Sequence, residues 1–251
     1  MPDTLGSDTT GHGRRVVMVH GFSQSSACWG PLHPALAKDH QVVAVDAPGH
    51  GRSSEVSSDL WGTADILADG GPATYVGYSM GARMCLHVAL AHPEVVERLV
   101  LIGATAGIDH KPARRERLRA DEQLARRIEQ YGVRAFIKEW LANPLFAGLP
   151  PEHRFEDERA TNTTAGLADS LRRCGTGTQD SLWPRLGQLT MPVLAIAGGD
   201  DARYAGFARR IASSTGGPAH AAFVDGAGHS PHLERPDEVV DVVLDWLDST
   251  A

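Results

Sequence analysis

Short aliphatic and β-branched runs recur along the chain, separated by stretches with helical spacing. RRVVMVHG (14–21) is the first, and QVVAVDAPGHGRS (41–53) opens with the second. ATYVGYS (73–79), VERLVLIGATAG (96–107), MPVLAIAGGDD (191–201) and AHAAFVDGAGHS (219–230) follow. Each is short, apolar and closed by turn residues, which predicts six strands, the first of them buried. Helical spacing of apolar residues over 31–38, 80–92 and 236–248 predicts helices between them. Strand and helix in alternation give an α/β protein with a mostly parallel sheet covered on both faces. The connection from Ser53 to Ala73 is short, so one core helix is expected to be trimmed.

From about 108 to 186 this rhythm stops. The interval has no strand-like run, holds a dense arginine cluster and reads as several helices. It is expected to be a helical cap (108–186) inserted into a core domain made of 1–107 and 187–251. The opening residues, MPDTLGSDTTGHG, are read as a flexible lead-in, because they lack the basic start and apolar stretch of a secretory signal.

Composition narrows the function classes. At 251 residues the chain can bury one sizeable core, and 42% hydrophobic with 22% charged residues is the balance of a soluble globular protein. A formal charge of −7 argues against non-specific binding to nucleic acid or to a membrane surface. No apolar run approaches the roughly 20 residues of a membrane span. Cys28, Cys85 and Cys174 are odd in number and lack metal-ligand spacing, so they read as reduced thiols of a cytoplasmic protein, a monomer or small homo-oligomer. No metal or cofactor is expected. Only Lys38, Lys111 and Lys138 are lysines among 24 basic residues. A GC-rich genome also enriches arginine, so each arginine is argued by position.

Gly77-Tyr78-Ser79-Met80-Gly81 fits a nucleophile elbow, after a strand and before a helix. Asp201 closes a later strand and His229 sits in the glycine-lined turn after the next, giving the order Ser, Asp, His. An imidazole that takes a proton from serine needs a carboxylate on its other nitrogen, so the expected triad is Ser79, Asp201 and His229, with Asp200 the rival acid. In VHGF (19–22) the turn offers the Phe22 N–H, which with the Met80 N–H would form an oxyanion hole. His20 and His50 are expected to be structural. These features resemble the α/β-hydrolase superfamily from about residue 14 onward. The superfamily's breadth, from esterases and C–C hydrolases to lyases, leaves the reaction open.

The arginines sharpen this. On a helical wheel of RRERLRADEQLARRIEQY (114–131), Leu124, Ile128 and Tyr131 share a face, flanked by Ala125 and Leu118, while Arg115, Arg119 and Arg126 point the other way. Arg117 lies on the apolar stripe, where it either pairs with Asp121 or faces the site under the cap. Arg83, one helical turn after Ser79, is placed beside the pocket. Arg159 is a third candidate, and Trp140 either walls the cavity or packs with Phe136 in the cap core. Converging arginines suit a substrate with several carboxylates better than a neutral lipid ester.

VHGFSQSSACW, VDAPGHGRS, VGYSMGAR, RRERLRAD, EWLANPLFAGL, ERATNT and AGHSPHLERP together resemble one family, the 2-succinyl-6-hydroxy-2,4-cyclohexadiene-1-carboxylate (SHCHC) synthases of menaquinone biosynthesis. VGYSMGAR with the cap pieces is the specific part. The resemblance implies Ser79, Asp201 and His229 as triad. It implies that Arg83, Arg117 and Arg159, helped by Tyr78 and Trp140, bind a small-molecule polycarboxylate. It also implies a lyase that eliminates pyruvate from 2-succinyl-5-enolpyruvyl-6-hydroxy-3-cyclohexene-1-carboxylate without a cofactor. The intact triad keeps a serine carboxylesterase or C–C hydrolase as the alternative.

Overall fold

The computed structural model describes residues 4–250. Seven strands form one sheet: β1 (Ser7–Thr10), β2 (Arg14–Val19), β3 (His40–Val45), β4 (Ala73–Tyr78), β5 (Val96–Ile102), β6 (Val193–Gly198) and β7 (Ala219–Val224). Their order is β1-β3-β2-β4-β5-β6-β7, and every pairing is parallel except that of β1 with β3. Side chains alternate across the pleat, so the inner strands feed two cores. Val17, Val19, Val43, Leu99, Leu101 and Ala195 face one layer made of α2 (Leu60–Ala68), α3 (Met80–Ala91) and α8 (Ala202–Ser214). Val16, Met18, Val42, Val100, Ile102 and Ile196 face the other, where α1 (Leu32–Leu36) and α10 (Pro236–Ser249) pack. The α/β-hydrolase arrangement read from the sequence is the one present, with a mostly parallel sheet between helical layers.

The segment between β5 and β6 contains no strand. Its helices are α4 (Lys111–Tyr131), α5 (Val133–Leu141), α6 (Glu156–Arg159) and α7 (Thr164–Cys174), and α9 (Pro231–Glu234) meets them from the last part of the chain. Ala125, Ile128, Phe136, Ile137, Leu167 and Leu171 form a separate apolar cluster that also takes in Leu233 of α9. Arg172 of α7 grips Glu122 and Glu129, two turns of α4, with four hydrogen bonds of 2.6–3.3 Å.

Three sequence expectations need correction. The lead-in is not all loop: Ser7–Thr10 pairs antiparallel with Val42–Val45, and Arg52 holds Asp8 at 2.9 Å. All four side chains of β1 are exposed, so no hydrophobic alternation advertised it; residues 1–3, like residue 251, lie outside the described residues. Helix α8 had no counterpart in the sequence reading. On α4, Tyr131 is 58% and Leu118 45% exposed. The buried stripe is Asp121, Ala125 and Ile128. Tyr131 ends the helix just before the Gly132 turn, and the Gly177 loop packs against the backbone of Leu118, leaving its side chain outside. The connection from Ser53 to Ala73 carries a single nine-residue helix, α2.

Four histidines are buried in neutral form. His20 and His50 pin the turn after β2 from below: the Ala47 N–H donates to His20 Nε2 (3.0 Å) and the Ser23 N–H to His50 Nε2 (3.1 Å). His87 Nδ1 donates to the Arg83 carbonyl at 2.7 Å, and His232 packs on Tyr78. Burial lowers His20 and His87 to about 4 and His50 and His232 to about 3. In the unfolded chain these rings protonate near pH 6.5. The unfolded state therefore binds more protons throughout the interval from about 6.5 down to 4. Stability that is complete above that interval is lost across it as the pH falls. Melting temperatures measured from pH 7.5 to 4.5 should fall steadily below pH 6.5; a flat profile to pH 5 would contradict this account.

Candidate active site

The carboxyl ends of β2, β4, β6 and β7 deliver the site, as expected for ligands of an open parallel sheet. Ser79 occupies the turn between β4 and α3 with φ 51° and ψ −104°, a conformation that L residues avoid. Neighbouring glycines make the turn possible. A Cβ on Gly81 would lie 1.8 Å from the Val19 carbonyl oxygen, and one on Gly77 2.5 Å from the Ala82 Cα. The Ser79 N–H is held by the Ile102 carbonyl at 2.8 Å.

Ser79 Oγ lies 3.1 Å from His229 Nε2, and His229 Nδ1 lies 3.2 Å from Asp201 Oδ2. The carboxylate fixes the tautomer: Nδ1–H donates to Asp201, leaving Nε2 to accept from the serine hydroxyl. Burial works against the Asp201 charge, but the bonds from His229 and from the Tyr204 amide (3.1 Å) outweigh it and hold its pKa below the ordinary value. Asp200, the rival acid, is exposed and its carboxylate bonds no described residue. Two supports of the histidine went unread in the sequence. Glu234 accepts from the Gly228 and Ser230 amides, at 2.7 and 2.8 Å, which clamps the turn on both sides of His229. Tyr204 lays its ring 4.3 Å from the imidazole. The signal for Glu234 was its spacing in GHSPHLE; Tyr204 sits on α8, the helix that was missed.

The Phe22 and Met80 amides are both open. Gly21 N–H donates to Gln24 and Ser23 N–H to His50, whereas Phe22 N–H, between them, has no acceptor among the described residues. Met80 is the first residue of α3, one of the helix positions whose amide lacks an intrahelical acceptor. His20 and His50 lie beneath this turn and do not reach the cavity.

A cavity of about 440 Å³ opens above Ser79 and His229. Phe22, Tyr78, Met80, Arg83, Arg117, Trp140 and Arg159 all line it, together with Tyr204, Leu124 and Cys174. Arg83 is only 6% exposed and Arg159 2%. Neither has a carboxylate within 4 Å among the described residues. Arg83 Nη1 donates to Gln179 Oε1 (3.1 Å), while Arg159 donates to Ser23 Oγ (2.8 Å) and to the Arg154 carbonyl (2.7 Å). Burial lowers the pKa of both guanidinium groups, but arginine starts so high that they stay charged. Arg117 satisfies both sequence alternatives: its Nε pairs with Asp121 at 2.7 Å, while the side chain, 41% exposed, lines the cavity. Trp140 likewise does both, stacking on Phe136 and walling the cavity with its indole N–H unpartnered. Tyr78 OH is 2.6 Å from Ser230 Oγ. No cluster of three or more His, Cys, Asp or Glu among the described residues is arranged for a metal ion.

Residues 16–242 match the alpha/beta hydrolase family. A 2-succinyl-6-hydroxy-2,4-cyclohexadiene-1-carboxylate synthase of Escherichia coli O1:K1 is 30% identical over 90% of this chain and 90% of its own length. The synthase of Serratia proteamaculans (strain 568) is 28% identical over 88% of both. Among solved structures, MenH from S. aureus superposes with a TM-score of 0.90 at 26% identity, covering 97% of this chain and 98% of that one. A malate-bound thermophilic esterase from Thermogutta terrifontis, at 22% identity and a TM-score of 0.85, shares the fold. The chain is an enzyme of the alpha/beta hydrolase family, with SHCHC synthases among its relatives.

Proposed function

We propose that this enzyme is an SHCHC synthase, eliminating pyruvate from 2-succinyl-5-enolpyruvyl-6-hydroxy-3-cyclohexene-1-carboxylate. The observation that carries the reading is a pair of buried arginines, Arg83 and Arg159, without counter-ions among the described residues, in a cavity shared with Ser79 and His229. A buried unpaired cation is costly. A substrate with three carboxylates supplies the missing partners, and a neutral ester does not. Residues 108–186 act as a cap that carries Arg117, Trp140 and Arg159 to the cavity, and Tyr78 borders the bound ring. The names of the relatives point to the same chemistry.

In this reading Ser79 is a base. As it takes the ring proton next to the succinyl carbonyl, its own proton passes to His229 Nε2, and Asp201 stabilises the imidazolium. Charge developing on the succinyl oxygen is met by the Phe22 and Met80 amides. The electron pair moves through the ring alkene, a second double bond forms, and the C–O bond to the enolpyruvyl group breaks. The departing enolate takes up at its methylene carbon the proton that His229 has held, which returns Ser79 and His229 to their starting states, and leaves as pyruvate. No water enters any step. Serine hydrolase chemistry is the second reading, favoured by one observation: the same Ser79–His229–Asp201 line and open amides serve acyl transfer.

Pyruvate release from the enolpyruvyl substrate, followed by a coupled lactate dehydrogenase assay, should run far above background; background rates would end the synthase reading. Replacing Arg83 or Arg159 with Ala should weaken transition-state binding of that substrate by about 2–5 kcal/mol. Turnover of a neutral short-acyl nitrophenyl ester should not track these losses, and fast ester hydrolysis indifferent to both arginines would instead favour a hydrolase. Asp201→Asn should lower kcat by about 10⁴-fold through loss of tautomer control. Asp200→Asn, at the surface, should stay within about twofold, so comparing the two variants identifies the acid.

A further inference from the structure

Gln179 belongs to the loop after α7 and is 2% exposed. Its Oε1 accepts from Arg83 Nη1 at 3.1 Å, and the amide orientation is fixed because a guanidinium has no acceptor to offer. Its Nε2 has no partner among the described residues. Keeping a half-satisfied amide in the core is unfavourable, and a hydrocarbon of the same length would avoid it. The carboxylate best placed to neutralise Arg83 is engaged elsewhere: Asp121 binds Arg117 Nε with one oxygen and the Gly177 amide, at 3.0 Å, with the other.

We propose that Gln179 is a positioning residue that fixes the Arg83 guanidinium with a neutral acceptor, so that the first carboxylate Arg83 meets is the substrate's. The assignment rests on the anionic-substrate reading of the cavity and deepens it. A hydrogen bond to an uncharged oxygen orients the guanidinium plane without neutralising it. A glutamate at 179 would be ionised by the adjacent cation and form an internal pair that a ligand must compete with. Arg117, which has a resident carboxylate, is thereby set apart from Arg83 and Arg159. The cavity presents two uncompensated cations deep inside and a partly neutralised one where solvent reaches.

Calorimetric binding of tricarballylate, a small tricarboxylate, tests this without turnover. Gln179→Glu should weaken its Kd by about tenfold or more, and Gln179→Met, which only frees the guanidinium, by about threefold. In an Arg83→Ala background the effect of Gln179→Glu should shrink below about twofold, because the two residues act through one interaction. With the enolpyruvyl substrate the same ranking should appear in KM, while kcat moves by less than about threefold. Equal affinity of Gln179→Glu and the parent protein, or a loss that persists without Arg83, would overturn the assignment. If the glutamate variant fails to fold, Gln179→Met decides: binding equal to the parent overturns the proposal, and weakening that vanishes without Arg83 supports it. A parent protein that binds tricarballylate through Arg83 yet releases no pyruvate would sink the synthase reading and leave this one standing. Absence of tricarballylate binding by the parent would sink this one.

Discussion

The site depends on one close approach, the N-terminus of α3 against the end of β2. Gly81 lets the Val19 carbonyl come so near that no side chain fits between them. That contact sets three things together. It forces Ser79 into a left-handed backbone, so its hydroxyl stands clear of the sheet toward His229. It places the first amide of α3 beside the turn that carries Phe22. And it starts α3 at a height where Arg83, one turn on, comes to the cavity wall rather than to solvent. The strain at Ser79 is sustained because β4 is buried along its whole length and the Ser79 amide is tied to Ile102. The neutral rings of His20 and His50 hold the β2 side of the same contact, so the acid sensitivity of the fold and the geometry of the open amides share a cause.

Charge is distributed around this contact with a clear division. Many arginines outside the cavity are paired with carboxylates, as Arg172 is with Glu122 and Glu129, while buried Arg98 is held by Thr74 Oγ1 and the Leu247 carbonyl. The two most buried cavity arginines have no carboxylate partner among the described residues, and neutral oxygens of Gln179, Ser23 and the Arg154 carbonyl hold them instead. Solvation of a buried cation by fixed dipoles keeps its full field directed at whatever enters, whereas an internal ion pair would cancel most of it. The proposed anionic substrate would meet that field as it enters.

Much of this was legible in the sequence, and the reason is periodicity. Strands fed by two cores are apolar at nearly every position, so β2 to β6 stood out, and the elbow followed because a serine between two glycines at a strand end has few other uses; β7 was found from its short apolar run although, at the sheet edge, only Val224 of it is fully buried. The order of Asp201 and His229 after successive strands completed the line. What escaped had no such pattern. The edge strand β1 is held by backbone pairing and by the Arg52–Asp8 contact, with every side chain outside. Tyr131 and Leu118 matched the apolar face of α4, but tertiary neighbours at Gly132 and Gly177 decided their exposure. Gln179 acts through a single hydrogen bond to a residue 96 positions away, which no local spacing encodes, whereas Glu234 clamps its own turn through two bonds four and six residues back and carried a local signal that went unread. Arg117 was undecided between an ion pair and the cavity on periodicity alone; a long side chain gives its Nε to Asp121 while it borders the cavity.

The same geometry bears on why a hydrolase scaffold would run an elimination. Hydrolysis through a serine ester needs a second step in which water is activated at the imidazole, and that water must reach a site beneath α4, α5 and α7. Proton abstraction needs no such visit, and in the proposed synthase reaction its transition state would gather negative charge on a carbonyl oxygen next to carboxylates held by arginine. Cations that hold those carboxylates also lower the energy of the neighbouring enolate, because both charges lie in the same low-dielectric field. Arg83, attached to the helix that also carries the open Met80 amide, links the two effects through one rigid element. In the synthase reading proposed above, the serine would be a proton carrier between ring and imidazole, and the hydrogen-bonded line from Asp201 to Ser79 is the path that proton would follow.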